Sequence, residues 1–263
     1  MPNNQGKRKN TVPIVVIGCV LLAAILIVGT VWMGQSAKRD TETAVHSVSL
    51  LYLDELAGRR EHVVSSNLKK KISDIKTAVD LMTDEDLSDA EHLQAYQARM
   101  KKIYNLEKFA FVDTDGLIYT SRGTQNNINE YKIDYKNIKK PEISILNLKS
   151  ADKKVIIAIP IDGIEFNGKK LNVCFMEIDM EEMLEGVSME PDKNKATFCN
   201  IYTKEGIPLT NAVLGGLAVE DNLLEAMRHA DFENGYTYEK LLSDFKNSRS
   251  GVVSFTYNGI HET

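Results

Sequence analysis

Phe111-Val112-Asp113-Thr114-Asp115-Gly116-Leu117-Ile118-Tyr119-Thr120-Ser121 places two β-rich segments on either side of an Asp-Gly pair. This is a strong hairpin signal, because glycine takes the positive φ a tight turn requires and β-branched or aromatic neighbours suit a pleated surface. The same stretch aligns without gaps on Ile201-Tyr202-Thr203-Lys204-Glu205-Gly206-Ile207-Pro208-Leu209-Thr210-Asn211, with the two glycines 90 residues apart. An apolar pair, polar residues, an acid, Gly, an aliphatic residue, then Thr with a small polar residue recur in one order, which predicts two copies of one module.

Downstream of the first copy, residues 154–161 and 171–179 read as two more strands around a turn region at Gly163 and Gly168. The β-branched content of Val155, Ile156, Ile157 and Ile159 favours a strand buried on both faces. Residues 181–186 suggest a short helix, and residues 189–196 a polar, proline-containing linker. After the second copy come helices near residues 220–229 and 238–245 and a strand at 251–257. The first copy has a further strand at that stage and the second does not. Residues 252–257 are then expected to present an unpartnered edge, and the chain to be a fragment or to have its second module completed by further residues.

Upstream, Leu68, Ile72, Ile75, Val79 and Met82 recur in steps of four and three, the apolar stripe of a long helix. Val45, Val48, Tyr52, Leu56 and Val63 keep the rhythm less strictly, which extends that helix back towards Asp40. Ser88, with Glu91 three residues later, has the capping-box pattern for a second helix that ends near Asn105. At the start of the chain, residues 12–33 form an apolar run of 22 residues, long enough to cross a hydrocarbon core of about 30 Å. Lys7, Arg8 and Lys9 precede the run, no acid stands in the tail, and Lys38 and Arg39 are followed by Asp40 and Glu42. The positive-inside rule keeps the short tail in the cytoplasm and the rest outside. The apolar region of a cleaved signal peptide is usually shorter, and Ser36-Ala37 is a poor cleavage site, so the run is expected to remain as an anchor.

The part beyond the anchor carries 29 basic against 37 acidic residues, which argues against a nucleic-acid partner. Cys19 lies in the apolar run, so Cys174 and Cys199 are the only pair left for a bridge, and nothing in their spacing argues that they meet. The five histidines stand singly, without metal-ligand spacing, and no metal or cofactor is expected. Ser66-Asn67-Leu68-Lys69 has the outline of a Ser-x-x-Lys nucleophile but sits on a lysine-rich helix, and Asp113-Thr114-Asp115-Gly116 is better explained as a turn than as a calcium loop. No catalytic residue is assigned and the fragment is not expected to be an enzyme.

An anchor continuing into a long ectodomain helix, followed by two hairpin-led modules headed by residues 111–121 and 201–211, resembles the double Cache sensor domains of bacterial transmembrane receptors. The resemblance implies an α+β fold with PAS-like modules, antiparallel sheets with helices on one side. It implies a tail at residues 1–11, a transmembrane helix at 12–34, a stalk and second helix at 40–106, and a membrane-distal module at 107–188. The linker at 189–196 then leads to a membrane-proximal module at 197–263. It further implies extracytoplasmic sensing of a small molecule, a homodimer, and a cytoplasmic diguanylate cyclase or histidine kinase output outside this chain. The alternative is a membrane-tethered interaction or assembly domain with no small-molecule ligand.

In the resembling family the distal pocket lies on the sheet face and the segment after the first hairpin, here near residues 119–135. Arg122 is then placed to pair with a carboxylate, Tyr119, Tyr131 and Tyr135 to wall a pocket, and Asp162 to take an amine. The Arg-x-Trp-Tyr pattern common among amino-acid-binding members is missing, since Arg122-Gly123-Thr124-Gln125 stands in its place.

Overall fold

Helix α1 (Thr11–Asp80) opens the computed structural model of the chain, which describes residues 11–185, 200–210, 217 and 220–263. The fold is α+β, and the contacts divide the chain into two compact units, Met1–Leu56 and Ala57–Thr263. In the first unit, Val20–Arg39 is long and apolar enough to cross a membrane, and Leu22, Ile25, Val28 and Trp32 lie exposed along it. The linker expected at residues 189–196, and Cys199, lie outside the described residues.

In the second unit the expected stripe is the buried side of α1. Ile75 and Ala78 are fully buried, and Leu68, Ile72, Val79 and Met82 pack against the same core. Helix α2 (Ala90–Ile103) follows, capped by Asp89 rather than by the Ser88 expected from the capping-box pattern. The Asp89 carboxylate accepts from the His92 backbone N–H at 2.9 Å, while the Ser88 hydroxyl donates back to the Glu85 carbonyl at 2.8 Å. The charged acceptor also complements the positive end of the helix, which decides between two adjacent cap formers.

Seven strands form the main sheet: β1 (Lys108–Asp113), β2 (Ile118–Thr120), β3 (Gly123–Gln125), β4 (Glu142–Leu146), β5 (Lys154–Pro160), β6 (Glu165–Phe166) and β7 (Lys169–Asp179). Their order is β3-β2-β1-β7-β5-β4, all antiparallel, with β6 paired to β7. Because side chains alternate across a strand, β1 sends Phe109 and Phe111 to the helix side and Ala110 and Val112 to the other. Both faces are covered, so β5 is buried from Val155 to Ile159, as its β-branched run required. A short helix, α3 (Met180–Met183), closes β7. Cys174 is free and fully buried on the helix side, and burial pushes its thiol well above the usual range.

Lys154 ties the end of β5 to the end of β7, with Nζ 2.7 Å from Asp152 and 2.9 Å from Asp179. The hydrogen bonds that Lys154 donates to both acids raise the lysine, and the one to Asp179 holds that carboxyl below its usual value although desolvation opposes it. Asp179 therefore contributes stability above about pH 4 that is lost as pH falls through its folded value. The raised lysine contributes below about pH 10 and loses that as pH rises further. Lys154→Met is expected to lower the melting temperature most between about pH 5 and 9, with the gap to wild type narrowing below about pH 4. A gap independent of pH in thermal melts would show that the ion pair contributes nothing.

The later part contains α4 (Leu223–Ala226), a 3-10 turn at Met227–His229, β8 (Asp231–Phe232), α5 (Tyr238–Lys246), β9 (Phe255–Tyr257) and β10 (Ile260–Glu262). The unpartnered edge expected at residues 252–257 is not there. β9 is the central strand of a three-stranded sheet, flanked by β8 and β10. Asn258 and Gly259 both take positive φ, 49° and 79°, the geometry of a two-residue hairpin that returns the chain against β9.

Candidate functional site

The two aligned stretches make the same turn. Gly116 and Gly206 each have φ of 85°. The Asp113 N–H donates to the Leu117 carbonyl at 3.1 Å, and the Thr203 N–H to the Ile207 carbonyl at 2.9 Å. Asp113 Oδ1 accepts from the N–H groups of Asp115 and Leu117, both at 2.9 Å, and Thr203 Oγ1 accepts from those of Glu205 and Ile207, both at 3.3 Å. Beyond the turn the copies differ. The first hairpin lies inside the main sheet, whereas the second makes only an isolated bridge between Tyr202 and Pro208 among the described residues. Ile201 and Leu209 instead pack on the helix-side core of the main sheet.

The five residues singled out in the sequence do not converge. Tyr119 pairs with Phe111 in register and so points to the helix side, where its ring meets Phe166 edge-on at 5.3 Å. Its hydroxyl donates to Asp113 Oδ2 at 3.0 Å, and burial, then that hydrogen bond, push the phenol up to about 12. Tyr131 lies on the opposite face of the sheet, its ring 4.9 Å from Phe175. Tyr135 belongs to that second side too, and a Cβ on Gly116 would stand 2.9 Å from its ring, so the glycine lets this tyrosine close over the turn. Arg122 is exposed, and its backbone N–H donates to Thr120 Oγ1. The Asp162 side chain is 88% exposed and paired with Lys170 at 2.5 Å, which holds the carboxyl below its usual range. One pocket walled by Tyr119 and Tyr131 together is therefore ruled out, because the sheet stands between them.

The face beneath Tyr131 carries a polar group that the sequence reasoning passed over. Lys108 and Glu177 are directly opposed on β1 and β7, with Nζ 3.3 Å from Glu177 Oε2. The same ammonium donates to the Tyr131 hydroxyl, lies 3.3 Å from Gln125 Oε1, and sits 4.9 Å from the centre of the Tyr131 ring. Burial works to lower Lys108, but the Tyr131 hydrogen bond and the Glu177 charge outweigh it and leave the lysine raised, hence charged. Glu177 Oε2 has the Lys108 ammonium as its partner, an ion pair whose angle falls outside good hydrogen-bond geometry. A cover made by a 3-10 turn (Ile128–Tyr131) and Ile133 closes over the apolar neighbours Ala110, Ala158 and Phe175. The Ser144 hydroxyl fastens that cover by donating to the Tyr131 carbonyl at 2.6 Å.

A cation, a carboxylate and a phenol stand together at the end of an apolar face, where the ammonium can pair with an anion and the carboxylate with a cation. The signal that could have found this group is the parity of the strands. Lys108, Ala110 and Val112 share one face, and a charge on that otherwise apolar face is out of place. Among the described residues no group of three or more His, Cys, Asp or Glu is arranged to hold a metal.

No family model matches this chain, and no curated protein matches it in sequence. Among solved structures it is similar to the ligand-binding domain of the Campylobacter jejuni chemoreceptor Tlp3 in complex with 4-methylisoleucine, at 11% identity and a TM-score of 0.46 over 79% of this chain and 81% of that one. It is similar to the periplasmic domain of RsbU from Chlamydia trachomatis, at 15% identity and a TM-score of 0.44 over 79% and 82%. A third is the extracellular domain of the putative histidine kinase mmHK1S-Z3, at 13% identity and 0.44 over 74% and 82%. One of these is a chemoreceptor ligand-binding domain, and the other two are a periplasmic and an extracellular domain. Likeness at this level concerns the outline of the fold, and what the site does must follow from its own residues.

Proposed function

We propose that this chain is the extracytoplasmic ligand-sensing region of a transmembrane signalling receptor, and that its ligand is a small zwitterion bound beneath the Tyr131 cover. The observation that carries this reading is the partly buried Lys108 and Glu177 ion pair on an apolar, covered sheet face. A ligand carboxylate takes Lys108 and a ligand ammonium takes Glu177, with Tyr131 swinging off Phe175 to admit the apolar part. These residues differ from the missing Arg-x-Trp-Tyr pattern, so that absence does not exclude an amino acid.

The opposite face of the same sheet packs on α1 through Ile75 and Ala78, so displacement of strands β1 and β7 is felt by the helix. The apolar, exposed Val20–Arg39 segment supports a membrane anchor, and the basic residues Lys7, Arg8 and Lys9 support a cytoplasmic N-terminus. On this reading the protein works as a homodimer and drives a cyclase or kinase output. A ligand shifts such a switch only by the difference in its affinity for the two arrangements.

The test is a thermal-shift screen of the full chain in detergent with amino acids, simple amines and simple carboxylates. At a hundredfold excess over its dissociation constant a ligand adds about 2.7 kcal/mol of stability. We expect at least one zwitterion to raise the melting temperature and its amine or carboxylate fragments to do far less. Lys108→Met should abolish the shift. No shift from any compound, or an undiminished shift in Lys108→Met, would overturn the reading and favour the assembly alternative.

A further inference from the structure

A second cleft, on the helix side of the main sheet and separated by it from the Lys108 cluster, lies between the first turns of α2, the β2–β3 hairpin and the β6–β7 turn. It encloses about 90 Å³ and is lined by Gln94, Gln97, Tyr119, Thr124, Phe166 and Asn167 among others, none of them charged. Gln97 is fully buried there, its Nε2 donating to the Tyr119 carbonyl at 2.6 Å. That bond fixes the amide orientation and leaves Oε1 as a buried acceptor that no donor among the described residues reaches. A buried acceptor without a donor is costly, and such an atom in a core calls for a specific explanation.

We propose that this cleft is a binding site for a small neutral molecule bearing an N–H donor, a primary amide being the best complement. Gln97 lines the cleft, and a small shift of the cleft wall brings its Oε1, closed to solvent as it stands, within reach of one N–H of the ligand amide. Gln94 stands three residues earlier on the same helical face, half-buried, where its amide meets the ligand carbonyl. The Phe166 ring, stacked edge-on against Tyr119, is the apolar wall, and Gly123 at the rim leaves open space where a Cβ would stand. The uncharged lining selects against ions, because a charge placed beside it would be desolvated without a partner. The volume exceeds that of one water and suits a molecule of a few heavy atoms. This site is chemically and spatially distinct from the zwitterion site, so either proposal can fail without the other.

Saturation-transfer NMR on the full chain in detergent, with acetamide as probe and acetate as its charged counterpart, tests the assignment. We expect transfer to acetamide and little to acetate. Thr124→Trp, an exposed rim position on β3, should remove the acetamide signal without touching Gln97. Gln97→Met, which keeps the length of the side chain and removes the acceptor, should weaken acetamide by about tenfold, the loss of roughly one net hydrogen bond. Absence of transfer to acetamide, as when water alone serves Gln97, overturns the proposal. Equal transfer to acetate, or an unchanged acetamide signal in Thr124→Trp, does so as well.

Discussion

Phe109→Ala is expected to cost about 3–5 kcal/mol, a large share of the stability of a single folded unit. Phe109 is buried and joins helix to sheet, with its ring centre 6.1 Å from Tyr96 on α2 and 5.5 Å from Phe111 on β1, both edge-on. Truncation removes the transfer free energy of a phenyl ring, leaves a cavity that the hydrogen-bonded β1 backbone cannot collapse into, and forfeits two aromatic pairs. Urea denaturation followed by near-ultraviolet circular dichroism reads the loss as a lower midpoint. Phe111→Leu, which keeps much of the volume, should cost far less. Equal losses in the two variants would mean that cavity formation is not the cause.

Gly206→Ala should be nearly as damaging, at about 2–4 kcal/mol, although it adds only one methyl group. Its φ of 85° strains any L side chain, and a Cβ would stand 2.7 Å from Asn222 Oδ1 and 2.9 Å from the backbone nitrogen of Leu224. Asn222 is the N-cap of α4 and also donates from Nδ2 to the Glu205 carbonyl at 2.8 Å, so the clash falls on the contact that joins the second turn to its helix. The equivalent change at Gly116 meets the tip of the Tyr135 side chain, which can swing aside, and should cost less stability while loosening the cover over the Lys108 site. Amide hydrogen exchange separates the two outcomes. Gly206→Ala should release protection around residues 222–230, and Gly116→Ala around 128–138. Wild-type exchange at residues 222–230 in Gly206→Ala would contradict the argument.

The contrast between these glycines shows which parts of the structure could be read in advance. The hairpin at Gly116 and its repeat at Gly206 are local events, dictated by a side-chain acceptor at the first turn position and a glycine at the fourth, so eleven residues sufficed to foresee both. The helical stripe of α1 and the doubly buried β5 were legible for the same reason, since periodicity and β-branching act over a few neighbours. The sheet around β9 was misjudged although Asn258-Gly259 carried a hairpin signal, because β8 and β10 are only two and three residues long and lack the length that marks a strand.

The site was harder because its geometry is not local. Tyr119 and Tyr131 are twelve positions apart and both aromatic, yet one follows the parity of β2 and the other arrives from a segment that folds over the far face. Nothing near Tyr131 announces which side of the sheet it will cover. Lys108 and Glu177 were hidden by a different effect, as they meet only through the register of β1 with β7, and each alone looks like a surface charge at a strand end. Gln97 was invisible on similar grounds, since a glutamine on an amphipathic helix is ordinarily solvated and only the packing of β2 against α2 buries it.

On the proposed reading a signal molecule binds at the covered face with Lys108 and Glu177. A crystal structure of the chain grown with the zwitterion that stabilises it in the thermal screen is the most direct measurement. It should show the ligand carboxylate within hydrogen-bond distance of Lys108 Nζ, its ammonium on Glu177, and the Tyr131 ring withdrawn from Phe175. A ligand seated elsewhere, with the Lys108 and Glu177 pair and the Tyr131 contact with Phe175 as they stand at 3.3 and 4.9 Å, would contradict it.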